Sequence, residues 1–255
     1  MRVLVRLKAQ DTFSYELGYH HNFQGFIYGL LRGTSFEFLH DRPRYKFFCF
    51  SNLVPPSKVI PRDSLKTWMI SSPNDAFIET LQERLVARQG SPVRLGTMAF
   101  RIVEVELSRP RLPSSMLQDT VLTSGTPIVV RIPAYRLTEY GIQPKRDYQF
   151  VYWRSEYTPA SFIKQLEENL WKKYCEYFSA KEQPDLTLFE RLKFRKQVAV
   201  PLKMRGEEST IIGTLWDFQF GSIDETKRRI LEFGLDVGFG EMNSLGFGFM
   251  NLEGG

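Results

Sequence analysis

Cysteine is scarce in this sequence of 255 residues, which contains only Cys49 and Cys175. Two cysteines so far apart cannot supply a disulfide framework or the paired ligands of a zinc ribbon. Apolar runs are also short, and none reaches the roughly 18 residues that a membrane span requires. The sequence therefore predicts a protein of the reducing cytoplasm that is not associated with a membrane.

Histidine is similarly rare, and His20, His21 and His40 are its only occurrences. The sequence has no His-Glu-x-x-His motif, no cysteine pair at ligand spacing and no cluster of carboxylates near its basic regions. We therefore expect neither a metal site nor a cofactor. Imidazole is the side chain best suited to carry protons near neutral pH, so these three residues are the first candidates for acid–base chemistry.

Positive charge is unevenly distributed along the chain, whose formal net charge is +5. Residues 1–115 contain 16 Lys and Arg against 10 Asp and Glu, whereas residues 116–255 contain 18 against 19. The second half nevertheless has a basic run without acidic residues, formed by Arg191, Lys193, Arg195, Lys196, Lys203 and Arg205. A solvated strand face would explain any one of these residues, but the run as a whole favours contact with phosphates.

Hydrophobic patterning in the first part of the chain alternates between strand and helix periods. It predicts strands over 1–8, 45–50 and 93–107, a pair of short extended segments within 57–70 on either side of residues 61–64, and helices over 22–31 and 74–88. Asn22 is the expected N-cap of the first helix. The resulting order, β-α-β-β-α-β, is the signature of a ferredoxin-like (RRM-like) domain.

The same order of elements recurs after a proline- and serine-rich linker at 108–118. Strands are predicted over 128–132, 194–204, 211–220 and 247–252, with helices over 161–178 and 224–233. We therefore expect an α+β fold of two ferredoxin-like domains in tandem. The predicted domains are 1–115 and 116–255.

A glycine-rich loop, residues 238–248, lies between the last helix and the last strand, and its glycines are Gly238, Gly240, Gly246 and Gly248. Glycine allows positive φ and close approach of backbone amides to a phosphate. The loop is not a P-loop, because no Gly-Lys-Ser/Thr follows, and it is not a dinucleotide fingerprint, because it precedes a strand. Without further context, a tight structural turn explains it equally well.

The loop consists of Gly-hydrophobic-Gly, five residues, and a second Gly-hydrophobic-Gly close to the C-terminus. This pattern resembles the hallmark loop of the CRISPR-associated repeat endoribonucleases, the sixth Cas family. The resemblance implies two tandem ferredoxin-like domains that bind CRISPR repeat RNA and cut precursor transcripts once per repeat, without metal. It also implies an active site made of a first-helix tyrosine, a following histidine and a lysine about six residues later, here Tyr28, His40 and Lys46. Met242 departs from the pattern, because relatives often carry a basic residue there.

The chemistry of metal-free RNA cleavage gives a reason for these three residue types. Attack by the 2′-hydroxyl needs a base, an acid for the leaving 5′-oxygen and positive charge near the phosphorane, and it leaves 2′,3′-cyclic phosphate and 5′-hydroxyl ends. Tyr28 lies about 130° around the helix from the apolar stripe, at 100° per residue, so we expect it to point away from the core. Tyrosine is a poor base unless a cation lowers its pKa, and Lys46 would supply that cation. The sequence leaves open whether His40 or Tyr28 is the base.

Further expectations concern RNA binding. If the protein binds RNA mainly by electrostatics, its candidates for backbone contacts are Arg191, Lys193, Arg195, Lys203 and Arg205, together with Gly238, Gly240, Gly246 and Gly248 of the loop. Alternation along a strand would place the odd-numbered basic positions on one face, with Pro201 as a potential interruption.

Two other functions fit the same pattern. One is a catalytically silent paralogue that holds repeat RNA or serves as a subunit of a CRISPR effector complex. The other is a metabolic or signalling protein on the same fold, since ferredoxin-like domains host many functions. The sequence leaves open whether the protein forms a homodimer and which repeat it recognises.

Overall fold

The computed structural model describes residues 1–15, 18–113, 120–143, 148–180, 187–204, 207–220 and 223–253, with the backbone alone at 203 and 204. The chain divides into two compact units. The first comprises Met1–Pro110 and Asn243–Gly246, and the second comprises Arg111–Met242 and Phe247–Gly255. The predicted boundary at residue 115 lies outside the described residues. Among the helices described, none is long and apolar enough to cross a membrane.

The first unit is built on an antiparallel sheet. Its elements are β1 (Arg2–Ala9), β2 (Phe13–Ser14), α1 (Tyr19–Leu31), β3 (Cys49–Phe50), β4 (Val59–Ile60), β5 (Leu65–Ser71), α2 (Asp75–Val86), β6 (Pro92–Leu95) and β7 (Met98–Ser108). The strand order is β3-β5-β1-β7-β6, and β2 pairs separately with β4. Without the edge strand β6, this is the ferredoxin-like arrangement, in which the first strand lies between the third and the fourth.

The core of this unit follows from the predicted periodicities. Val3, Val5 and Leu7 alternate along β1 and are fully buried, together with Phe23 and Ile27 from the apolar stripe of α1. Each large aliphatic or aromatic side chain removed from water in this way stabilises the fold by roughly 1.5–3 kcal/mol. The burial fixes the face of α1 that turns inward, and thereby the faces that remain available for a site.

The second unit repeats the topology. Its elements are β8 (Val121–Ser124), β9 (Arg131–Pro133), β10 (Phe150–Tyr152), α3 (Pro159–Phe178), β11 (Arg191–Met204), β12 (Glu207–Gln219), α4 (Glu225–Val237) and β13 (Met250–Glu253). The main sheet has the order β11-β12-β8-β13, and β9 and β10 form a separate two-stranded ribbon. The predicted α+β class with ferredoxin-like units is confirmed.

Three local predictions are wrong in detail. Helix α1 begins at Tyr19 after Gly18, so Asn22 lies inside the helix and is not its N-cap. The predicted strand 45–50 is reduced to β3, because Phe47 has a positive φ of 53° that an extended strand cannot contain. The predicted strand 93–107 is instead the hairpin of β6 and β7, which turns at Gly96 with φ 67°.

The N-cap of helix α2 can be tested by substitution. The Asn74 side chain accepts a hydrogen bond from the Phe77 N–H at 3.1 Å, as an N-cap does. We expect Asn74→Ala to lower the free energy of unfolding by about 1 kcal/mol, because that N–H loses its acceptor. Urea unfolding followed by circular dichroism measures the change. Asn74→Asp keeps an acceptor and serves as the control, so an equal loss in both variants would contradict the assignment.

Candidate active site

Tyr28, His40 and Lys46 lie together in the first unit, although 18 residues separate the first from the last. Lys46 Nζ donates hydrogen bonds to the Tyr28 hydroxyl at 2.7 Å and to the His40 carbonyl oxygen at 2.9 Å. The Tyr28 and His40 rings meet edge to face, with centroids 5.1 Å apart. Helix α1 supplies the tyrosine, the 3₁₀ helix Glu37–His40 supplies the histidine, and the segment before β3 supplies the lysine.

Tyr28 is more enclosed than its position on the helix predicts. Its ring is half-buried and packs against the core, with Phe48 at a centroid distance of 6.2 Å. The expectation that it points away from the core is therefore wrong, because the chain after α1 folds back over it. Burial raises the pKa of the Tyr28 phenol, and a hydrogen bond with Ser244 opposes that shift. The net shift is therefore opposite to the lowering for which Lys46 was a candidate cause, because desolvation of the phenolate is the largest contribution.

Lys46 is itself partly desolvated. Burial lowers the pKa of its ammonium group, and the nearby Asp41 carboxylate opposes this shift. The lysine is therefore a cation held beside a protonated phenol. A charge placed in this way acts more strongly on a ligand than a charge in bulk water.

His40 is the most accessible member of the group, with 65% of its side chain exposed. Its Nδ1 lies 2.6 Å from Asp41 Oδ1. This contact favours a proton on Nδ1 in the neutral imidazole and leaves Nε2 as the acceptor. Sequence analysis missed Asp41, and its position directly after a candidate histidine is the signal that could have found it.

The tip of the glycine-rich loop belongs to the first unit and contacts α1. Gln24 Nε2 donates to the Ser244 carbonyl oxygen at 2.8 Å, and His20 Nδ1 lies 2.6 Å from the Leu245 carbonyl oxygen. Ser244 in turn hydrogen-bonds Tyr28. Sequence analysis missed Gln24 and Ser244 because no local pattern links a first helix to a loop some 220 residues later.

The glycines of the loop are buried, and all four have positive φ: Gly238, Gly240, Gly246 and Gly248. A Cβ atom at Gly240 would overlap the Val129 carbonyl oxygen, and a Cβ atom at Gly246 would overlap the Phe50 ring. These two positions therefore require glycine for steric as well as conformational reasons. The loop passes closer to its neighbours than any residue with a side chain would allow.

The amides of the loop are largely used within the protein. The N–H groups of Gly238, Gly246 and Gly248 donate to Gly234, Asn243 and Pro127 carbonyl oxygens, respectively, at 2.8–2.9 Å. These three amides would have to break their hydrogen bonds before binding a phosphate directly. The glycines accordingly shape the loop, and residues 241–245 are its half-exposed part.

The base of the loop is held by charged side chains of the second unit. Lys173 of α3 is buried, and its Nζ donates to the carbonyl oxygens of Gly238 at 2.6 Å and Gly240 at 2.9 Å. Glu241 pairs with Arg131 of β9 through side-chain and backbone N–H groups. Neither contact was predicted, since a lysine at an inward helical position reads as an interruption of the apolar stripe.

The basic strand β11 carries exposed cations, but in a different register from the one expected. A bulge between Phe194 and Lys196 shifts the alternation of side chains between the two faces of the sheet. Lys193 and Lys196 therefore share one face, and odd-numbered residues beyond the bulge lie on the opposite face. Within the described part of the chain, Arg191, Lys193 and Lys196 have no ion-pair partner, whereas Arg195 lies 3.4 Å from Asp217. Lys203 and Arg205 were also predicted to contact RNA. The side chain of Lys203 and the whole of Arg205 lie outside the described residues.

In the described ranges, no three His, Cys, Asp or Glu side chains lie close enough together to hold a metal ion.

Comparison with known proteins identifies the family of this chain. The family description "CRISPR associated protein Cas6, C-terminal" matches residues 111–252. CRISPR-associated endoribonuclease Cas6 2 of Methanocaldococcus jannaschii is 31% identical over 259 residues, covering 98% of this chain and 99% of the relative. The chain belongs to the Cas6 family. The family resemblance seen in the glycine-rich loop is thereby confirmed.

Further Cas6 similarity extends over the full length. CRISPR-associated endoribonuclease Cas6 of Haloferax mediterranei is 28% identical, covering 99% of this chain and 93% of the relative. A solved structure described as a RAMP protein binding different RNA substrates has a TM-score of 0.73 at 21% identity, covering 99% of each chain. This structural similarity shows a shared fold.

His20 gives a pH test of the contact between α1 and the loop tip. The side chain is 2% exposed, and burial lowers its pKa from 6.5 to about 4. An imidazole that stays neutral when folded but takes up a proton when unfolded stabilises the fold above pH 6.5, and this stabilisation is lost as the pH falls toward 4. Between pH 7 and pH 5, wild type should lose about 2 kcal/mol more unfolding free energy than His20→Gln.

Urea unfolding of both proteins at the two pH values measures this difference. His21→Gln, which removes the exposed neighbouring imidazole, is the control and should follow wild type. Parallel pH dependence of wild type and His20→Gln would show that the imidazole is not held neutral.

Proposed function

We propose that this protein is a metal-independent endoribonuclease that binds CRISPR repeat RNA and cleaves precursor transcripts into guide RNAs. Membership of the Cas6 family, whose curated relatives are named endoribonucleases, supports the RNA-processing part of the proposal. The single observation that carries the chemistry is the position of Lys46 Nζ, within hydrogen-bond distance of both the Tyr28 hydroxyl and the His40 carbonyl oxygen. A base, a proton donor and a cation thus stand within one small area.

The proposed reaction is transesterification within the RNA. His40 Nε2 takes the proton of the 2′-hydroxyl, the 2′-oxygen forms a bond to phosphorus, and the bond from phosphorus to the 5′-oxygen breaks. The products end in a 2′,3′-cyclic phosphate and begin with a 5′-hydroxyl. The contact of His40 Nδ1 with Asp41 supports the role of base, because it keeps the lone pair on Nε2.

Tyr28 is proposed as the proton donor at the leaving 5′-oxygen. Its raised pKa keeps the phenol protonated before the reaction, which fits an acid and not a base. Lys46 and Ser244 hydrogen-bond the phenol, and they would stabilise the phenolate that forms after proton transfer. The Lys46 ammonium also offers positive charge to the phosphorane.

The RNA backbone is proposed to follow β11. Arg191 and Lys193 precede the bulge on the same face that Lys196 occupies after it. Since these cations have no carboxylate partner among the residues that the structure describes, they are able to neutralise phosphates and release their counterions. Arg195 is the weaker candidate, since Asp217 already lies beside it.

Cleavage of a repeat RNA by the full chain tests the chemistry. We expect His40→Ala to slow cleavage by about 10²–10⁴-fold, the usual contribution of a positioned acid or base. RNA binding should barely change, because a proton carrier contributes mainly in the transition state. Gel analysis of end-labelled RNA should identify cyclic phosphate ends, and EDTA should leave the rate unchanged.

Two controls accompany this experiment. RNA with a 2′-deoxy substitution at the scissile nucleotide should not be cut, and His21→Ala should cut at the wild-type rate because His21 is exposed and outside the cluster. Full cleavage by a Tyr28→Phe, His40→Ala double variant would contradict the proposed active site. Tight binding without any cleavage by wild type would favour the silent RNA-binding paralogue.

Salt dependence tests the proposed RNA path. Replacing Arg191, Lys193 and Lys196 by Ala should weaken binding of the 2′-deoxy RNA and reduce the slope of log K against log salt by about 2, at roughly 0.7 for each lost phosphate contact. Filter binding at several salt concentrations measures the slope. The matched control replaces three exposed cations that already have carboxylate partners, Lys164, Lys172 and Arg229. Equal slopes of log K against log salt for the two triple variants would show that RNA does not follow β11.

A further inference from the structure

Helix α1 carries a stripe of polar side chains in addition to its apolar one. His20, Gln24 and Tyr28 follow one another at intervals of four residues, so they share one face of the helix. The tip of the glycine-rich loop contacts this face and belongs to the same compact unit. His20 contacts the Leu245 carbonyl oxygen, and Gln24 contacts Ser244. The stripe therefore aligns the loop tip with the phenol of Tyr28.

The amide group of Gln24 makes two contacts with one residue of the loop. Its Nε2 donates to the Ser244 carbonyl oxygen at 2.8 Å and to the Ser244 hydroxyl oxygen at 3.3 Å. The first contact fixes which end of the amide faces the loop, because two carbonyl oxygens at that distance would repel each other. The Ser244 hydroxyl oxygen therefore accepts from Gln24, and its own proton is directed elsewhere.

The Tyr28 phenol oxygen has two hydrogen-bond partners. One is the Lys46 ammonium, which donates at 2.7 Å, and the other is the side chain of Ser244. A phenolate can only accept hydrogen bonds, so Ser244 has to donate to it once the proposed proton transfer has taken place. A hydroxyl that already points at the phenol oxygen needs no rearrangement at that moment, and such preorganised donors are the ones that lower a reaction barrier.

We propose that Gln24 is a positioning residue that turns the Ser244 hydroxyl toward Tyr28 and thereby directs the tyrosine proton toward the RNA. The inference rests on the proposed function, in which Tyr28 is the acid. With Lys46 and Ser244 both donating to the phenol oxygen, its own O–H bond points away from them. As the bond from phosphorus to the 5′-oxygen breaks, that O–H bond breaks too, and its proton passes to the leaving oxygen.

Replacing the leaving oxygen by sulfur separates a role in proton donation from a role in folding. A thiolate leaves without taking up a proton, because thiols are far more acidic than alcohols. The probes are two repeat RNAs that differ only in a 5′-oxygen or a 5′-sulfur at the cleavage site, each cut by excess protein in a single turnover. Gln24→Met, which keeps the side-chain length without the donor, and Ser244→Ala should both cut the oxygen RNA roughly 10- to 100-fold more slowly than wild type, as expected for loss of a hydrogen bond to a charged group. Both variants should cut the sulfur RNA at the wild-type rate.

Two further variants test whether the residues act as a chain. A Gln24→Met, Ser244→Ala double variant should be no slower than Ser244→Ala alone, because Gln24 acts through Ser244. His21→Ala removes an exposed side chain of the same helix, and as the matched control it should cut both RNAs at the wild-type rate. A wild-type rate of Gln24→Met on the oxygen RNA would overturn the inference. Equal slowing of Gln24→Met on both RNAs would also overturn it, because a purely structural role has that effect.

The outcome is separable from that of the proposed function. Tyr28→Phe should be slow on the oxygen RNA and restored on the sulfur RNA, whereas His40→Ala should be slow on both, since the base is still required. Tyr28→Phe that is equally slow on both RNAs would reject the proposed acid, and this inference with it. Restoration of Tyr28→Phe by sulfur, without restoration of Gln24→Met, would reject the role of Gln24 alone.

Discussion

The hydrogen bond between the Lys46 ammonium group and the Tyr28 phenol is the contact on which the proposed site depends. It ties the segment before β3 to α1, and the second bond of the same ammonium ties that segment to the end of the 3₁₀ helix carrying His40. Because the ammonium is partly desolvated, it needs both acceptors, and a misplaced partner would leave a charge poorly compensated. One lysine therefore fixes its own segment relative to the Tyr28 phenol and to the backbone at His40.

The glycine-rich loop supports this arrangement by shape more than by charge. Gly246 lets the backbone pass against the Phe50 ring, and the preceding residues then bring Ser244 to the Tyr28 hydroxyl. Lys173 separately fixes the base of the loop through two carbonyl oxygens. A substitution of Gly240 or Gly246 would act on the proposed catalysis indirectly, through the position of Ser244. The loop is therefore a positioning element, and its pattern of glycines follows from the lack of space for a Cβ atom at Gly240 and Gly246.

Sequence reasoning succeeded where the physical signal is periodic and local. The stripe of Phe23 and Ile27 identified α1, and the order of strands and helices identified both ferredoxin-like units. It failed where the cause is a contact between distant parts of the chain, as with Ser244 on Tyr28 or Lys173 on the loop. The bulge at Arg195 was missed for a different reason, because a single extra residue leaves no mark in a run of polar side chains.

The proposed RNA path along β11 is limited in the information it can extract. In that proposal the cations contact phosphates, which are the same in every sequence, so they would position RNA without reading it. Discrimination between sequences requires hydrogen bonds to base edges, which are best exposed in unstacked single-stranded segments. Selection of one repeat over another would therefore depend on groups other than the β11 cations, whose contacts would supply affinity alone.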